Sequence, residues 1–237
     1  MNFNNRLAAF LIVLSLPLAA NADWFDDIRD GDDREALYRT LYYMPKGGDL
    51  HNHLSGAVFA EWWYELALAQ QERGYEYYTK VRIDNCREFG GNAFSRDPYF
   101  LLFRNISSLE HAQLNECEKG EYKRLAELDD REKSAWMNSI RLDKSWEGRD
   151  EFFQTHWQRL NALTRNPWLQ AETLVKNLQA YAAEGMVYVE YQIGASSYEG
   201  PDGEPIDASQ AFDILRETLA RKDVRDLGVT VRFQLAI

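Results

Sequence analysis

Apolar positions change their spacing several times along the chain, and each change marks an element. Residues 32–44, DDREALYRTLYYM, place Asp32 three residues before Glu35, with apolar Leu37, Leu41 and Met44 following at helical spacing. This predicts a capping box opening an amphipathic helix that Pro45 ends. In GGDLHNHL, Leu50, Asn52 and Leu54 alternate with His51 and His53, which is the period of a short strand. AVFAEWWYELALAQQERG then returns to helical period, carrying Phe59, Trp62, Trp63 and Leu66 and stopping at Gly74.

Residues 75 to about 148 are less regular. They hold NCREFGGNAFSRDPYF, both cysteines and a charged stretch, EYKRLAELDDREKSAWMNSIR, with helical character. They read as an insertion. Regularity then returns. RDEFFQTHWQRLNALT predicts a helix, and NPWLQAETLVKNLQAYAAEG another, with Asn166 as N-cap, Pro167 at the first position and Gly185 as C-cap. MVYVEYQIG is β-branched and aromatic, as strands are. After GASSYEGPDGEP comes a further capping box in DASQAFDILRETLARKD, with Phe212, Leu215 and Leu219 on one face, and then a final strand, GVTVRFQLAI. Strand, helix, strand, helix, strand is the rhythm of a parallel α/β sheet. Three parallel strands cannot close a barrel. The pattern therefore fits a small open sheet or part of a larger α/β fold.

The first residues change the cellular picture. Arg6 precedes an apolar run from Leu7 to Leu18, followed by Ala20-Asn21-Ala22. That is the layout of a secretory signal cut after Ala22, with an uncleaved N-terminal anchor as the alternative. The expected organisation is a signal peptide at 1–22, an N-terminal arm and helix at 23–46, and the main domain at 47–237 with its insertion at about 75–148. The formal net charge of −11 disfavours nucleic-acid backbones and anionic membranes as partners and leaves small molecules. No membrane association is expected after signal cleavage. Cys86 and Cys117 form an even pair, which in an exported protein favours one disulfide, two buried thiols being the alternative. The acidic run DWFDDIRDGDD reads as a solvated arm. Asn105 opens an NIS glycosylation sequon.

The chemistry centres on His51-x-His53. Residues i and i+2 of a strand share a face, so both imidazoles point the same way. Imidazole suits zinc, at metal–nitrogen distances of about 2.0–2.1 Å. Two ligands are too few for a catalytic zinc, which takes three protein groups and a water. A bare HxH pair is equally compatible with surface or core histidines.

The surrounding MPKGGDLHNHLSGA, residues 44–57, resembles the opening motif of the adenosine deaminase family in the amidohydrolase superfamily. It is most similar to the secreted, growth-factor-like branch, which also has a leading helix ending in Met-Pro-Lys-Gly, a signal peptide and a disulfide-bearing insertion. The likeness runs from about Asp32 to Ile237, through GMVYVEYQIG and the helix around FFQTHWQRL. It implies a (β/α)8 TIM barrel of the metal-dependent hydrolase type, here its first three β/α units, with the site at the C-terminal strand ends. It implies Zn2+ held by His51 and His53, and hydrolytic deamination of adenosine or a related purine nucleoside. The family's third zinc histidine, its proton-shuttling glutamate, a further catalytic histidine and a zinc-binding aspartate come from strands after the third. On that basis no catalytic residue is expected within this chain, and the chain is expected to be inactive alone.

By the same resemblance, Ser55, Phe152 and His156 are candidate substrate-binding residues. Ser55 stands where family members often carry an acidic or amide group against the ribose; a hydroxyl offers a hydrogen bond without the charge, and it also suits a simple turn. Phe152 and Trp157 at helical spacing fit a core as well as a pocket. His111 is expected to be an exposed insertion residue, and Glu190 a partnered carboxylate on the barrel floor. The resemblance leaves a homodimer open as the assembly. Another amidohydrolase with a different substrate, or a non-catalytic metal- or ligand-binding remnant, are the competing readings.

Overall fold

A computed structural model describes residues 23–87, 99–194 and 197–236. The expected signal peptide, residues 1–22, lies outside them. The chain divides into two units, residues 1–45 and 46–237.

In the first unit, α1 (Asp23–Asp30) and α2 (Arg34–Tyr43) are helices. The acidic run is thus helical over Asp23–Asp30, with Arg29 paired to Asp26 and Asp30. The cap of α2 also departs from expectation. Asp33, not Asp32, is the N-cap, its carboxylate accepting from the Ala36 N–H at 2.9 Å.

The second unit holds the parallel sheet. Its strands β1 (Gly48–His53), β5 (Tyr188–Gly194) and β8 (Thr230–Ala236) stand in the order β1-β5-β8. No closed barrel is present among the described residues. The register pairs His53 with Gln192 and Gln192 with Gln234. Between Asp49 and Asn52 the β1 register slips by a bulge, a device that re-aims side chains.

Between β1 and β5 lie α3 (Ala60–Ala69), the insertion, and a helical run of α7 (Arg149–Glu151), a π-turn (Phe152–His156) and α8 (Trp157–Thr164), followed by α9 (Pro167–Ala183). α9 begins as expected, Asn166 accepting from the Leu169 N–H. It ends in a Schellman turn: Gly185 takes φ +80°, and the N–H groups of Gly185 and Met186 donate to the carbonyls of Ala182 and Tyr181. α10 (Ala208–Ala220), with its Asp207–Gln210 capping box, leads back to β8. Leu174 and Leu178 of α9 and Leu215 of α10 join Val189, Tyr191 and Ile193 of β5 in one core. Burying such side chains stabilises the sheet by about 1.5–3 kcal/mol each.

The insertion is a folded layer of its own. Strands β2 (Tyr77–Lys80), β3 (Asn105–Ser107) and β4 (Tyr122–Arg124) form an antiparallel sheet in the order β3-β2-β4. The charged stretch therefore splits: its first residues pair with β2 as a strand, and the helix starts only at Asp130, capped by Asp129. Lys80 and Glu121 are buried together, nitrogen to oxygen 2.9 Å, and the Tyr99 hydroxyl donates to the same carboxylate. Such a pair is tolerable only because every charge finds a partner. Cys86 and Cys117 are bonded, and no described cysteine is free.

Two further expectations change, those for Phe59 and His111, and the open reading of Asn105 is decided. Phe59 is 63 % exposed; it is the N-cap of α3 and not within the helix, and its ring meets that of Trp62 edge to face. His111 is half-buried, stacked on Tyr78 at 3.8 Å. Asn105 is 1 % exposed; its amide accepts from Trp136 Nε1 and donates to the Arg159 carbonyl. A glycan does not fit there.

Candidate functional site

A cleft of about 530 Å³ opens at the C-terminal ends of β1 and β5. His51, His53, Ser55, Phe152, Trp157 and Gln192 are among its lining residues. In parallel α/β sheets this end is where ligands bind. The period-2 strand delivers both histidines, as expected, and their ring centres lie 5.1 Å apart, edge to face.

His51 is held from the neighbouring strands. The Gln234 amide nitrogen donates to Glu190 at 2.6 Å and to the Leu50 carbonyl at 3.2 Å. Both partners only accept, so the amide oxygen is turned toward His51, 2.9 Å from Nδ1. A neutral imidazole facing an acceptor carries its proton on Nδ1, which leaves the Nε2 lone pair available. Metal-bound histidines are oriented in this way. Glu190 is a partnered carboxylate, as expected, accepting also from the Tyr188 hydroxyl at 2.7 Å. The hydrogen bonds from Tyr188 and then Gln234 hold its carboxyl below the usual range.

Asp49, at the start of the bulge, fixes the strand from below. It accepts from the His51 backbone N–H, the Asn52 amide and the Tyr181 hydroxyl. Burial alone would raise the carboxyl, but those bonds prevail and it lies below its ordinary value.

Ser55 and Phe152 line the cleft with the histidines. His156 does not. It is 3 % exposed, with Nε2 2.8 Å from the Arg141 carbonyl and Nδ1 3.2 Å from that of Glu151. Nδ1 also lies 3.1 Å from the Thr155 hydroxyl, so both ring nitrogens are engaged within the fold and this residue secures the π-turn that presents Phe152, Phe153 and Trp157 to the cleft. Sequence reading missed Gln234 and Gln192. Their only sequence signal was strand alternation, which puts Gln234 on the Glu190 side once the β5–β8 register is known.

The donor set suits a zinc ion in part. Two imidazoles sharing one tetrahedral zinc at about 2.0–2.1 Å have centres roughly 5 Å apart, close to the observed separation. A group of three or more His, Cys, Asp and Glu side chains arranged to hold a metal is absent among the described residues. No described helix is long and apolar enough to cross a membrane.

No protein-family model matches the chain, and no curated protein does.

Proposed function

We propose that this chain carries the first metal-binding strand of a zinc-dependent hydrolase of the adenosine deaminase type, built on a (β/α)8-type sheet and acting on a purine nucleoside. The observation that carries the reading is the His51–Gln234 hydrogen bond, which leaves Nε2 of His51 free beside His53 at the strand ends. The MPKGGDLHNHLSGA motif supports the same chemistry. What zinc supplies when bound is a water acidic enough to act as a nucleophile near neutral pH.

The chain's own residues have separable tasks. His51 and His53 hold the metal. Gln234, itself anchored by Glu190, fixes the His51 tautomer. Phe152, Phe153 and Trp157 give a flat purine an apolar wall and displace water from it. Ser55 offers one hydrogen bond to the sugar. The disulfide fits an oxidising compartment, and export through the N-terminal signal belongs to this reading.

A second reading has its own support. No Asp or Glu is among the described residues lining the cleft, so among them no carboxyl stands ready to deliver a proton to the ring and the departing amine. On that ground the chain binds metal or ligand without turnover.

One experiment separates the two. Zinc binding and adenosine-to-inosine conversion are measured on the chain and on His51→Ala and His53→Ala. Zinc binding lost in both variants supports the metal site. Chelator-sensitive turnover supports the deaminase, and binding without turnover supports the second reading. A chain that binds no zinc overturns the deaminase reading and leaves of the second only ligand binding.

A further inference from the structure

The polar side chains lining the cleft divide into those already bonded and those that are not. His51 is bonded to Gln234, and the Asn52 amide to Asp49 and Tyr181. His53, Ser55, Trp157 and Gln192 line the cleft as well, and their side chains make no hydrogen bond among the described residues. Both polar atoms of the Gln192 amide are open to solvent in the cleft.

The four differ in what they offer. Trp157 only donates, and Ser55 donates and accepts at a single oxygen. His53 is taken by the metal in the reading above. The Gln192 amide alone presents a donor and an acceptor on two neighbouring atoms. Its place on the sheet is specific too. Gln192 is the register partner of His53 on β1 and of Gln234 on β8, and it shares a face with Glu190 two residues before it. Its amide therefore stands beside the two imidazoles. The Gln234 amide is held in one orientation by Glu190 and the Leu50 carbonyl. No such anchor holds the amide of Gln192.

We infer that Gln192 reads the edge of the bound heterocycle. Its oxygen accepts from an exocyclic amine while its nitrogen donates to the neighbouring ring nitrogen, with Phe152, Phe153 and Trp157 covering the ring's face. The ligand class is a planar ring bearing an N=C–NH2 edge. This deepens the nucleoside reading and rests on it for the identity of the ring. Because the amide is unanchored, it also turns over to meet the HN–C=O edge that hydrolytic loss of the amine creates. Gln192 thus holds substrate and product alike, and its role is recognition.

Calorimetric titration with adenosine, inosine and 6-methylpurine riboside tests this, on the parent chain and on Gln192→Met. The methyl group fills the space of the amine and has no hydrogen to donate. In the parent, adenosine and inosine should bind about equally, and about tenfold tighter than the methyl compound, which loses one hydrogen bond and strands the amide oxygen. Gln192→Met should erase that margin with the melting temperature unchanged, since the amide bonds nothing within the fold. Gln192→Asn, which keeps the amide but withdraws it by one carbon, should erase it as well. A margin that survives both substitutions gives the edge to Ser55 or Trp157 and overturns the inference, as do three equal affinities in the parent; either result leaves the nucleoside reading intact. Inosine as weak as the methyl compound also overturns it, because an unanchored amide suits either edge. If no nucleoside binds, but 4-aminopyrimidine, a bare N=C–NH2 edge, binds the parent and not Gln192→Met, the amide site stands and the nucleoside reading falls. A chain that binds none of these compounds overturns both.

Discussion

The Gln234 side-chain oxygen lies 2.9 Å from Nδ1 of His51, although 183 residues separate them in the chain. The bond spans from one edge strand of the sheet to the other. Glu190, on the strand between, holds the amide in the orientation that makes it possible.

That relationship predicts a metal effect at a distance. Gln234→Met removes the acceptor and lets the His51 ring sample both tautomers. Zinc affinity, read by competition with a chromogenic chelator, should drop about 10- to 100-fold, the usual cost of losing an outer partner of a metal-binding histidine. Unchanged affinity would show that His51 is oriented by something else.

The disulfide joins cysteines 31 residues apart, a loop whose closure in the unfolded chain is worth about 3–4 kcal/mol. Replacing both cysteines with serine should lower unfolding free energy by that order in urea titrations. The parent chain in reductant should fall to the same value. A variant as stable as the oxidised parent contradicts it.

Asn105 should carry no glycan when the chain passes through a eukaryotic secretory pathway. Its amide is enclosed by Trp136 and the Arg159 carbonyl, so glycosidase treatment should leave the mobility of folded protein unchanged. Asn105→Ala strands the Trp136 N–H and should cost about 1–3 kcal/mol. A glycan at Asn105 on natively folded material would refute the burial.

Acid should weaken the first strand through Asp49. Burial opposes its charge, but hydrogen bonds from Asn52, the His51 N–H and Tyr181 hold its folded value below the ordinary one. A depressed carboxyl contributes stability that is present above the unfolded value, about 3.9, and is lost as pH falls through the folded value. Asp49→Asn should therefore be less stable than the parent near neutral pH, with the gap closing below about pH 4. Urea unfolding at a series of pH values measures it, and a gap constant with pH would remove Asp49 from the account.

The sequence by itself determined the local structure. Asn166-Pro167 and Asp207 with Gln210 announced the starts of two helices, and Gly185 the end of one, because caps are satisfied within a few residues of themselves. Alternation placed His51 and His53 side by side for the same reason: a strand's period is built into its backbone. It also announced three parallel strands joined by helices. Tertiary structure decided everything that depends on which distant residues meet. The register of β8 against β5 brought Gln234 to Glu190 and His51. Packing buried Asn105, left Phe59 in solvent, took His156 out of the cleft, and turned Tyr122–Arg124 from a helical stretch into a strand against β2. It brought together Cys86 and Cys117, the pair the sequence favoured for a disulfide. Partners chosen across a sheet or through a core depend on the sum of many weak contacts, and a local pattern carries no record of that sum.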